Sequence, residues 1–127
     1  MTAQKSVLII GADPEKLDFS DPAFPPGLDA AKIMAGLRRS QELMAAEDLS
    51  ADLCLIDPAV PPEPEIALAL AARSYDCVVI GAGLRAPPQF LGLFEAVVNA
   101  VHRHAPGAAI AFNASPEDSA AAARRWV

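Results

Sequence analysis

This chain is short of the residues that most often carry chemistry. It has two histidines, His102 and His104, two cysteines, Cys54 and Cys77, one tryptophan and one tyrosine. Both cysteines fall inside apolar runs that read as strands, so they are expected as buried free thiols, not as a disulfide scaffold or a metal site. Both histidines close a long amphipathic segment, and a helix carries them roughly 20 Å from its own start at ~1.5 Å per residue, too far to complete a nucleophilic triad there. Lysine is confined to Lys5, Lys16 and Lys32, the arginines are scattered, and the net charge is −6. No nucleic-acid footprint follows from such a balance. No apolar run approaches the ~20 residues that span a bilayer, and MTAQKSVLII sets one lysine before too few apolar residues for a secretory leader. The expected location is the cytoplasm, with no membrane partner.

What is present is aliphatic. Hydrophobic residues make up 53% of the 127 positions while aromatics make up 6%, which favours a sheet covered by helices in a single domain, residues 1–127. The chain is organised around YDCVVIGAGLR, Tyr75 to Arg85. Cys77-Val78-Val79-Ile80 has no polar alternation, so both of its faces are covered, as in a central parallel strand. Gly81 and Gly83 then make a turn, and Pro87-Pro88 set up a helix from about Gln89 to His104. Ser6–Ile10 reads as a first strand closed by Gly11, and Ala51–Ile56 as a second. Residues 108–112 read as a fourth. Helices are predicted over 29–48, 63–73 and from Ser115 to the end, the last with Ser115 as N-cap, an acid three residues on for a capping box, and Trp126 as its anchor to the sheet. Residues 12–28, punctuated by prolines and carrying Phe19 and Phe24, form a connection of the length typical of lids and binding loops.

Four alternations of strand and helix give an α/β fold: a three-layer α/β/α sandwich on a four-stranded parallel sheet of order 2-1-3-4, Rossmann-like or flavodoxin-like. Ligands of such sheets sit beyond the carboxyl ends of the strands where the order reverses, here between strands one and three. All prolines but Pro106 lie in connections leaving that edge. The candidate ligand-binding residues are therefore Gly11, Asp13, Gly81, Gly83, Arg85 and Asn113. The glycine turn ahead of a helix offers backbone N–H groups, and Arg85 a charge, to an anion. The third glycine of the dinucleotide fingerprint and the P-loop pattern are both missing, so no cofactor is implied. Asp13 and Asp57 end neighbouring strands and are candidate ligands for a divalent cation, although Asp-Pro is also a common turn opening. A phospho-receiver would need paired acids after strand one and a late lysine, and has neither here.

The stretch YDCVVIGAGLRAPPQFLGLFEAVVNAVHRHAPGAAIAFN resembles the middle of SGNH-type esterases, in which a buried strand ends in a Gly-x-Asn oxyanion turn. That family's asparagine is replaced by Gly83, its Gly-Asp-Ser nucleophile by Gly11-Ala-Asp13, and its closing Asp-x-x-His is missing. The resemblance implies a related fold without the catalytic groups. Over its length the chain also resembles small uncharacterised bacterial single-domain proteins that share the DPAxPPGL, DLCLIDP and DCVVIGAG segments.

Phe90, Leu91, Leu93 and Phe94 point in four directions at ~100° per residue, so the sheet covers only some of them. The 12–28 loop and a second copy of the chain are the expected covers, giving a homodimer through this helix and loop. The combined expectation is a protein that binds a small anionic metabolite and not an enzyme. The alternatives are a homodimeric interaction or regulatory module, and a metal-assisted enzyme using Asp13 and Asp57.

Overall fold

The unbroken apolar runs become the strands of one sheet. In the computed structural model, which describes residues 4–22 and 24–127, the strands are β1 (Lys5–Ala12), β2 (Leu49–Ile56), β3 (Cys77–Ile80) and β4 (Ala109–Phe112). All pairings are parallel and the order is β2-β1-β3-β4, as the alternation of elements predicts. The helices are α1 (Ala30–Ala46), α2 (Glu63–Ala72), α3 (Leu91–His104) and α4 (Ser119–Arg124).

Strand periodicity assigns the layers. Leu8 and Ile10 of β1 join Val78 and Ile80 of β3 on one face, under Ile66 of α2 and Val97 and Val101 of α3. Val7, Ile9 and Val79 face the other way, under Leu37 and Met44 of α1 and Ala122 and Ala123 of α4. Successive side chains of a strand point to opposite faces, so β1 and β3 must be apolar throughout to feed both layers. Each such aliphatic side chain contributes about 1.5–3 kcal/mol on full burial. Helices on both faces make the three-layer fold of the Rossmann and flavodoxin kind.

Boundaries differ from the sequence reading where neighbours intervene. β1 does not stop at Gly11, because β2 runs on to Ile56 and holds Gly11 and Ala12 in register with Leu55 and Ile56. α3 begins two residues later than its first polar residue suggests, since Pro87 and Pro88 lead through a 3-10 turn over Pro88–Phe90. The capping box of Ser115 and Asp118 is present, but it opens a 3-10 turn, Pro116–Asp118, ahead of a short α4. Trp126 is not an anchor: it is 63% exposed. The chain's last turn tightens, with Arg125 and Trp126 donating to Ala122 and Ala123, and this rotates the indole off the buried face while Val127 packs on the core instead.

The four apolar side chains at the start of α3 also sort themselves. Leu93 and Phe94 pack on the core, and Phe90 is half-buried. Leu91 alone stays outside, 66% exposed.

Candidate functional site

The site is built where β1 and β3 leave the sheet. Gly81 N donates to Ile10 O at 2.8 Å, which holds the two strand exits together. A Cβ on Gly81 would lie 3.3 Å from Ile10 O and 3.8 Å from Gly11 Cα, so this close approach favours glycine. Beyond the joined exits lies a cavity of about 450 Å³. Its floor is Gly11, Ala12, Gly81, Ala82 and Gly83, and its far wall is Asn113 to Ser115. Phe24, Pro25 and Leu28 roof it from the long connection, and Ile33 and Leu37 of α1 close the side. Gly83 faces open space, with no atom within 4 Å of an added Cβ.

The roof is held by side chains of its own segment and of the adjoining helices. Asp29 caps α1 by accepting from Lys32 N at 2.8 Å, while Lys32 Nζ donates to Gly27 O at 2.6 Å, with Gly27 at a φ of 81°. Phe19 and Phe24 stack with ring centroids 5.5 Å apart. Gln89, just before α3, donates to the carboxylate of Asp21 and ties the loop to the start of that helix.

Of the residues expected at the site, Gly11, Gly81, Gly83 and Asn113 line the cavity, whereas Asp13 and Arg85 do not. Asn113 is 3% exposed and bonded at both ends of its amide: its Oδ1 accepts from Ala82 N at 2.8 Å and its Nδ2 donates to Ser119 Oγ at 2.9 Å. It staples β4 to the β3 turn and to α4. Arg85 donates to Asn113 O at 2.7 Å and lies over the Phe112 ring, 5.8 Å from its centroid, directed at β4 and not into the crevice. Most N–H groups of the β3 turn are likewise engaged. Gly81 and Ala82 donate as described, Leu84, Arg85 and Ala86 donate to Gly81 and Ala82 carbonyls, and Pro87 and Pro88 have none to give. An anion cradle needs such groups free.

The two aspartates stand side by side, since Ala12 and Ile56 are in register. Each closes its own turn: Asp13 accepts from Glu15 N at 3.0 Å and Asp57 from Ala59 N at 2.9 Å. Among the described residues there is no group of three or more His, Cys, Asp or Glu side chains able to hold a metal ion. This pair would supply two of the six or so oxygen ligands a hard divalent cation takes.

Groups whose acidity is displaced by their surroundings sit elsewhere. Tyr75 donates to Asp52 at 2.8 Å, and Arg73 reaches the same carboxylate oxygen at 2.9 Å. Burial, then the bond to Asp52, pushes Tyr75 up to about 12, while the Tyr75 bond draws Asp52 below its ordinary value. Arg103, then His104, lowers Glu63. Burial raises both thiols, Cys54 and Cys77, to about 11, and both are free. None of these side chains lines the cavity. The arrangement can therefore enclose and orient a molecule, and it sets no displaced acid, base or nucleophile against it.

Sequence reasoning marked the strand exits and the long loop but missed Ile33, Leu37, Ala86 and Ser115 as walls. The spacing of Ile33 and Leu37 signals a buried helix face, and only the packing shows that part of this face looks into a void.

Fold and cavity together define a Rossmann-like or flavodoxin-like α/β domain with a roofed crevice at the reversal of strand order. No family model, curated protein or solved structure matches the chain. No helix among the described residues is long and apolar enough to cross a membrane.

Proposed function

We propose that this protein binds a small molecule in the crevice beyond β1 and β3, under the connection that carries Phe24, and that it acts by holding the ligand and not by transforming it. The observation that carries this reading is the cavity of about 450 Å³ at the point of strand-order reversal, within the size range of ligand pockets. Its lining shifts the ligand class. The turn that was to hold an anion has most of its donors engaged, and the walls are mainly aliphatic with Phe24 in the roof, so the part of the ligand that enters is apolar.

Gly83→Val tests the site directly. The glycine has no positive φ and nothing within 4 Å of its added Cβ, so the larger side chain fills the void without a clash. With the neutral apolar fluorophore N-phenyl-1-naphthylamine as probe, the native protein is expected to bind and enhance emission, and Gly83→Val to bind at least tenfold more weakly with an unchanged or higher Tm. Equal binding by both proteins would place the probe elsewhere and remove the reading.

A second reading, a homodimer through the start of α3, is favoured by Leu91 and Phe112, which are 66% and 40% exposed. Phe112 stacks on Phe94 at 5.6 Å, so the apolar surface extends from helix to edge strand. Sedimentation equilibrium tests it, and a monomer at all concentrations would end it.

A further inference from the structure

A second cavity, of about 270 Å³, lies on the other side of the loop, and Leu17 and Phe24 line both cavities. The two spaces thus share Leu17 and Phe24 as a common border. That border belongs to a connection and not to a helix or strand: Leu17 follows the 3-10 turn Pro14–Lys16, and Phe24 lies between that turn and α1. Both residues are half-buried. The two spaces differ in chemistry. The inner one is apolar, whereas the outer one presents Lys16, Asp18, Asp21 and Gln89.

Resting on the binding function proposed above, we infer that Leu17 and Phe24 form a gate between the two cavities and that the ligand is an amphiphile, its apolar body in the inner cavity and a hydrogen-bond-donating head, an alcohol or amine, in the outer one. The head is assigned from what the outer cavity offers. Carboxylates only accept when ionised, so Asp18 and Asp21 bring acceptors to the outer wall, and one N–H of the Gln89 amide is engaged with Asp21. Asp18 accepts from the hydroxyl and the N–H of Ser20, and these bonds hold its carboxyl below the usual range. Lys16 is the one cation in this lining, against two carboxylates. Asp13 and Asp57 stand at the neighbouring strand ends and add the same sign. A carboxylate or phosphate head would meet a net negative rim, and an amine or hydroxyl would not.

Matched eight-carbon probes separate the parts of this inference. Isothermal titration with octan-1-ol, octylamine and octanoate is expected to show binding of the alcohol and the amine, with octanoate at least tenfold weaker. Asp18→Asn should reduce the amine's advantage over octanoate several-fold, because it removes one of the two carboxylates in the outer lining. In stopped-flow mixing, Phe24→Ala should speed both association and dissociation of octan-1-ol, as removal of a gate does. Each variant is checked for a native thermal transition. Octanoate binding as tightly as octylamine would overturn the assigned head group, and unchanged rates in Phe24→Ala would overturn the gate, with the cavity reading intact in both cases. Failure of all three probes to bind would overturn the binding function itself.

Discussion

Asn113 shows how much one polar side chain can organise when it is buried. Its amide reaches the backbone of the β3 turn in one direction and the hydroxyl of Ser119 in the other, and its own carbonyl receives Arg85. A buried group left without its partner costs ~1–3 kcal/mol, so Asn113→Ala, which strips both ends of the staple, is expected to destabilise the protein by about 2–4 kcal/mol in urea unfolding. Asn113→Asp keeps the acceptor for Ala82 N and should cost less. A loss below about 0.5 kcal/mol in the alanine variant would show that the staple is dispensable. The two thiols illustrate the opposite case: burial raises both to about 11, which leaves them protonated and inert, so they serve as small core hydrophobes.

At the scale of elements, helices α2 and α3 share the core face of Leu8 and Ile10 and are joined at the surface by Glu63, which accepts from Arg103 and lies 3.1 Å from His104 Nε2. Arg103 is the larger cause of the lowered Glu63 pKa. A depressed carboxyl pKa means that the native state favours the ionised form. Its stabilisation is therefore full above the unfolded value, near 4.5, and disappears as pH falls through the lower native value. Glu63→Gln should lose stability at pH 7 and lose less of the remainder than the native protein between pH 5 and pH 3. Thermal melts across that range provide the check, and parallel curves would show that this ion pair is idle. The pair is exposed, so salt should shrink the difference. α1 ends with Asp48 at a φ of 61°, a left-handed terminus that glycine more often occupies and that aspartate tolerates.

For the whole molecule the open question is what meets the far edge of the sheet. β4 is four residues long and is an outer strand, and Arg125 donates to Phe112 O at 2.9 Å. The backbone groups of Ala109 face β3, so alternation turns the Phe112 carbonyl outward, and Arg125 thereby occupies one of the few acceptors a foreign strand would use. The homodimer proposed above would instead use the exposed side chains of Leu91 and Phe112. Leu91→Asp should then shift the sedimentation of the protein fully to monomer, with its melting temperature within a few degrees of native at low concentration. A dimer that persists in this variant would place the interface elsewhere.

The strand order was legible because Leu8-Ile9-Ile10 and Val78-Val79-Ile80 are apolar on both faces, which only central strands need to be, and because helical spacing alternates with them. The place of the crevice followed from that order alone. The character of its walls did not. Glycines before a helix read as an anion turn until the hydrogen bonds are counted, and those bonds join Ala82 to Asn113, 31 positions away. Arg85 likewise reads as a charge for the crevice until Asn113 O and the Phe112 ring are seen to hold it. The order of strands and the place of the crevice were thus written in local periodicity, whereas the engaged donors, the apolar walls and the border that Leu17 and Phe24 share were decided by contacts between segments distant in the chain, which no local pattern of residues records.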